Sequence, residues 1–150
     1  AVSTPEPRER RDLSPWTFVQ GVLAPLEVLV FLLSLALVLR YLMTGDGYEA
    51  ATLSIVIKTG VLYLIMITGA IWEKEVFGQY LLAPAFFWED MFSFAVIALH
   101  TLYILALLTG ALSANGLMFV ALAAYFTYVI NAGQFILKLR RARLTSEVTA

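Results

Sequence analysis

Two pairs of carboxylates interrupt an otherwise apolar chain: Glu73 and Glu75 follow Trp72, and Glu89 and Asp90 follow Trp88. All four lie in the stretch WEKEVFGQYLLAPAFFWED, Trp72 to Asp90. Carboxyl groups held away from water stay protonated nearer neutral pH and can donate that proton, while a second carboxylate takes one up or orients water. Three more ionisable residues fall inside apolar runs: Glu27, Lys58 and His100. Such residues are costly in a hydrocarbon environment and are functional candidates by default. Asn131 and Gln134, three positions apart, share one helical face and add amide groups to the set. The chain has no cysteine and 1 histidine, which excludes a thiol nucleophile, cysteine-based metal sites and a multi-histidine site within one chain, so no protein metal site is expected.

The elements that must position these groups are membrane helices. Of the 150 residues, 61% are hydrophobic and only 14% charged, against roughly 45–50% and about 25% in soluble domains. Four apolar runs stand out, at about Thr17–Met43, Ala50–Trp72, Phe86–Thr109 and Leu117–Leu137. Each has the roughly 20 residues needed to cross a bilayer core. At that length only helices satisfy their own backbone groups in lipid. The expectation is an all-α integral membrane protein: a four-transmembrane-helix bundle over residues 16–143, with an N-terminal arm at 1–15 and a tail at 144–150. Thr44-Gly45-Asp46-Gly47 and Gly110–Gly116 read as tight connections. Pro25 either starts or kinks the first helix. The first apolar run is too long for the h-region of a signal peptide and no cleavage is expected.

Basic residues set the orientation. Arg8, Arg10, Arg11, Lys74, Lys138, Arg140, Arg141 and Arg143 share one side of a four-span topology, and Arg40 lies on the other. The positive-inside rule then places both termini and the Trp72–Asp90 hairpin in the cytoplasm. A net charge of -1 speaks against nucleic acid as a partner; the lipid bilayer is the partner the composition demands. Glu89, Ser93, Val96, His100 and Tyr103 follow the spacing of one helical face, a polar seam in which Glu89 and His100 are separated by roughly 16 Å of rise.

Simpler roles compete for each residue. Lys58 is expected to snorkel to the outer interface, with His100 also toward that side. Asn131 and Gln134 suit interhelical hydrogen bonding. The aromatic residues suit an interfacial belt, and the Lys138–Arg143 cluster suits contact with anionic headgroups.

Beyond composition, Ser14–Leu42, Ser54–Ser93 with IWEKEVFG and LAPAFFWED, the ALHTLY stretch around His100, and YVINAGQFILKLRRARL (Tyr128–Leu144) resemble the 3-vinyl bacteriochlorophyllide hydratases. The resemblance covers nearly the whole chain. It implies a hydro-lyase of bacteriochlorophyll biosynthesis in a bacterial inner (intracytoplasmic) membrane. Such an enzyme adds water to the C3-vinyl group of a bacteriochlorophyllide-type tetrapyrrole and gives a 3-(1-hydroxyethyl) group. No cofactor is required, and magnesium belongs to the tetrapyrrole.

The family supplies the reaction; the roles of individual residues follow from position and chemistry. Glu89 or Glu73 is expected to be the general acid, with Asp90 or Glu27 positioning water. His100 is a base or a ligand to the tetrapyrrole magnesium. Trp72, Trp88, Phe86 and Phe87 would wall the flat substrate, and Asn131 and Gln134 would line the same pocket. The alternative is a non-catalytic transmembrane subunit of a photosynthetic reaction-centre or light-harvesting complex, contacting pigment through His100. A transporter fits less well, since neither an internal repeat nor paired broken helices are present.

Overall fold

A computed structural model of the chain describes residues 14–149, with the side chains at 142, 143 and 145–149 left undescribed. Most of the expected N-terminal arm, including Arg8, Arg10 and Arg11, therefore lies outside the described residues, as does residue 150. The chain forms α1 (Pro15–Thr44), α2 (Tyr48–Phe77), a 3-10 turn at Pro84–Phe86, α3 (Phe87–Thr109) and α4 (Ala114–Thr149). All four long helices are apolar and long enough to cross a membrane.

The helices begin and end where the sequence provides the chemistry. Ser14 caps α1, its hydroxyl accepting from the Trp16 N–H at 3.2 Å, with Pro15 following in the first turn. Pro25 lies inside α1, so it does not start the helix; the chain stays helical through it. Gly45 (φ 77) closes α1 and Gly78 (φ 86) closes α2, each in the left-handed conformation that glycine adopts without strain.

α1 packs chiefly on α2, and α3 on α4, with smaller contacts of α1 with α4 and of α2 with α3. One core joins all four helices through Phe31, Val38, Ile55, Leu62, Val96, Tyr103, Met118 and Tyr125. The outer surface is apolar as well: Leu29, Leu33, Ile67, Leu108, Phe119 and Phe126 are all exposed, as lipid-facing side chains must be. With apolar residues on both faces, polar residues are what tell the inside from the outside. The buried stripe of α3 is Glu89, Asp90, Ser93, Val96, His100, Tyr103 and Ala106, which contains the whole seam expected from spacing.

Candidate functional site at the end of the bundle

Hydrogen bonds gather the start of α1, the end of α2, the start of α3 and the C-terminal part of α4 at one end. Ser14 donates to Glu75, the Trp72 indole N–H donates to Thr17 Oγ1 at 2.9 Å, and Lys138 donates to the Ala85 carbonyl at 2.6 Å. The linker after Gly78 crosses this end and turns back at Leu82, whose φ of 60 is left-handed. That conformation costs a non-glycine residue roughly 1–2 kcal/mol. It aims two successive backbone N–H groups inward: Leu82 donates to Asp90 Oδ2 and Ala83 to Glu73 Oε1, both at 2.9 Å.

One carboxyl from α2 and one from α3 are thereby drawn together. The Glu73 and Asp90 side chains are within hydrogen-bonding reach of each other, and they are 4% and 6% exposed. Ionised carboxylates only accept, so a hydrogen bond between two carboxyls exists only when one carries a proton. Two carboxyls placed in this way can share one proton.

Glu89 points to the other side of the same helical turn, toward α4. Its Oε1 pairs with Lys138 Nζ at 3.0 Å, while Oε2 is buried without a partner among the described residues. Asn131 ties the two helices together beside it: Nδ2 donates to the Glu89 carbonyl at 3.0 Å and to Gln134 Oε1 at 3.1 Å, and Oδ1 accepts from Ser93 at 2.9 Å. Asn131 bridges the two helices and supports the Glu89 turn, while Gln134 bonds to Asn131 within its own helix.

Phe86 is the hub of the aromatic residues. Its ring lies 5.7 Å from Trp72, 5.5 Å from Phe77 and 5.7 Å from Phe135, mostly edge-to-face. Phe87 and Trp88 meet edge-to-face and face out of the bundle, Trp88 being 72% exposed. Of the four rings expected to wall a substrate, Trp72 and Phe86 lie inside the cluster and Phe87 and Trp88 lie on the outer surface.

A second polar cluster sits deep in the bundle. Lys58 Nζ is 2.8 Å from Glu27 Oε1 and 3.1 Å from His100 Nε2. Its ammonium also lies over the rings of Tyr128 at 4.0 Å and Tyr125 at 4.9 Å. His100 Nδ1 is 2.8 Å from the Val96 carbonyl, which can only accept. The proton is therefore on Nδ1, and Nε2 accepts from the lysine. Lys58 is 0% exposed, so the expectation that it snorkels to an interface is wrong. An ion pair with Glu27 and the faces of two tyrosines hold it inside, where a flexible stem alone would have let it escape.

These two constellations sit in a chain whose residues 3–141 match the family model for 2-vinyl bacteriochlorophyllide hydratase. The chain belongs to that family. A relative of that name from Rhodobacter capsulatus is 69% identical over 144 residues, covering 96% of this chain and 84% of its own. Another, from Cereibacter sphaeroides, is 69% identical over 145 residues, covering 96% and 89%. The family name places the vinyl at locant 2, against 3 in the sequence reading; the group is a vinyl in both. No solved structure matches the chain significantly.

Within this hydratase-family chain the structure divides the expected site residues. Glu73, Asp90, Glu89, Asn131, Gln134, Trp72 and Phe86 come together at the bundle end. Glu27 and His100 do not join them; they bind Lys58. With both ring nitrogens of His100 engaged, neither is left to ligate magnesium in this arrangement. Among the described residues no group of three or more His, Cys, Asp or Glu is placed to hold a metal ion.

Sequence reasoning gave Lys138 no part in a site and, having counted Lys58 among the ionisable candidates, expected it to snorkel instead. Lys138 follows Asn131 and Gln134 at positions of one helical face, a spacing that would have pointed to it. Lys58 continues the buried line of Ala51, Ser54 and Ile55.

Proposed function

We propose that this chain is a membrane hydratase that adds water across the vinyl group of a bacteriochlorophyllide, with the Glu73–Asp90 carboxyl pair as proton donor. Family membership supports the reaction, and the contact between two buried carboxyls supports the site. An alkene is a weak electrophile, so hydration begins when the terminal vinyl carbon takes a proton. Positive charge develops on the inner carbon, where the macrocycle delocalises it. Water adds there, loses a proton, and leaves a 1-hydroxyethyl group.

The reaction needs a carboxylic acid beside an apolar surface. With one proton shared between them, Glu73 and Asp90 would supply that acid, and Glu73 directly follows Trp72 of the Trp72–Phe86–Phe77 ring cluster. Two backbone N–H groups hold both side chains, so the conjugate base formed by proton transfer is already solvated by fixed dipoles. Glu89, engaged with a lysine, suits the acid role less well, and Glu27 is committed to Lys58. Vinyl plus water gives hydroxyethyl with no change in electron count, so the chemistry calls for no redox cofactor. Magnesium arrives with the substrate.

The lipophilic macrocycle approaches from the bilayer along the outward Phe87–Trp88 edge, and water approaches from the end of the bundle. Lys74, Lys138, Arg140 and Arg141 mark that end, which the positive-inside rule assigns to the cytoplasm together with both termini. The membrane is the inner (intracytoplasmic) membrane of a photosynthetic bacterium.

The test is turnover of a vinyl bacteriochlorophyllide by purified protein, read as a mass gain of one water. Glu73→Gln and Asp90→Asn should each lower the rate by about 10²–10⁴-fold, the usual contribution of a general acid. Near-normal rates in both variants would remove the pair from the reaction.

A further inference from the structure

Resting on the reading above, we infer that Glu89 Oε2 holds the water that adds to the vinyl group, and that Lys138 is the residue that positions it. Glu89 Oε2 is a buried side-chain atom without a hydrogen-bond partner among the described residues, on a side chain 10% exposed. A buried carboxylate oxygen left without a donor is expensive. Here the cost persists because the other oxygen is fixed: Lys138 Nζ holds Oε1 at 3.0 Å. A group that accepts hydrogen bonds and is short of one donor takes a water molecule, or a hydroxyl such as the one the reaction forms.

Lys138 also defines where that water sits relative to the acid. Its ammonium accepts no proton and donates in two directions, to Glu89 on α3 and to the Ala85 carbonyl at 2.6 Å. Ala85 belongs to the 3-10 turn that follows Leu82 and Ala83, whose N–H groups hold the carboxyl pair. One side chain of α4 therefore locks the Glu89 turn to the linker that carries Glu73 and Asp90. Phe86, between those two contacts, lies 5.7 Å beneath the same ammonium. Glu89 and Asp90 are successive residues on α3, so their carboxyls diverge by about 100° around the helix from Cα atoms about 3.8 Å apart. The acid is presented on one side and the water on the other.

The proton account closes. The carboxyl pair gives one proton to the terminal vinyl carbon; water bound at Glu89 adds its oxygen to the inner carbon; Glu89 takes the proton the oxonium releases. Exchange with solvent then removes the proton from Glu89 and returns one to the pair. Nothing is oxidised or reduced.

Deuterium separates the two roles. In D2O the wild-type protein should give a hydroxyethyl group with one carbon-bound deuterium in its methyl. Lys138→Met and Glu89→Gln should lower hydration about 100-fold, the scale expected for misplacing a reactant by about 1 Å. They should still protonate the vinyl carbon, and the cation should revert by losing H, so deuterium accumulates in recovered vinyl substrate. Lys138→Arg should restore much of the hydration. Hydration at wild-type rates in both Lys138→Met and Glu89→Gln would overturn the inference, as would loss of vinyl exchange together with hydration while helical content by circular dichroism is unchanged. If Lys138→Met fails to fold, Glu89→Gln decides alone, because it preserves side-chain shape. Failure of the acid reading looks different: Glu73→Gln and Asp90→Asn would then keep vinyl exchange, whatever the Lys138 variants do.

Discussion

Lys58 Nζ lies 2.8 Å from Glu27 Oε1 with both side chains sealed in the bundle, at 0% and 2% exposure. The pair joins α1 to α2, and His100 brings in α3. Removing one partner of a buried ion pair strands the other, at about 3–5 kcal/mol, whereas removing both is far milder. Glu27→Gln and Lys58→Met should therefore each lower the midpoint of denaturant-induced helix loss in detergent, and the double variant should recover part of that loss. Additive single effects would show that the two groups do not depend on each other.

Leu82 tests the carboxyl pair through the backbone. Its φ of 60 suits glycine, and its N–H is held by Asp90. Leu82→Gly should relieve roughly 1 kcal/mol of left-handed strain, offset in part by the lost side chain. Leu82→Pro removes the N–H and demands φ near −65°. It should abolish hydration while leaving most helical content in place, measured by turnover and circular dichroism side by side.

Phe86 fills the space between the linker and the helices, against Trp72, Phe77 and Phe135. Truncating a buried phenylalanine costs roughly 3–5 kcal/mol. Phe86→Ala should destabilise the fold on that scale and shift the emission of Trp72 to the red as water reaches the ring. A stable variant with unchanged emission would mean that the ring cluster does not seal this end.

Orientation has a direct measurement, because the chain contains no cysteine. Gln79→Cys on the exposed linker should react with an impermeant maleimide only in inside-out vesicles, and Asp46→Cys in the α1–α2 turn only in intact spheroplasts. The opposite pattern would reverse the proposed topology.

What the sequence determined by itself was the frame. Four runs of bilayer length, glycines at the turns and the 3–4 residue rhythm of Glu89, Ser93, Val96, His100 and Tyr103 left little freedom, because lipid tolerates only closed hydrogen bonding and helices close it locally. The carboxylates at the ends of two such helices were visible for the same reason: nothing apolar explains them. The partners were decided only by tertiary structure. That Glu73 meets Asp90, that Glu89 turns to Lys138, and that Glu27 leaves both for Lys58 depends on helix rotation, on one left-handed residue at Leu82 and on how far a lysine stem reaches. Helices apolar on every face carry almost no rotational signal, so polar groups find one another only when the bundle packs. Lys58 is the clearest case: a lone lysine in an apolar run reads as a snorkelling side chain until a carboxylate from another helix is placed beside it.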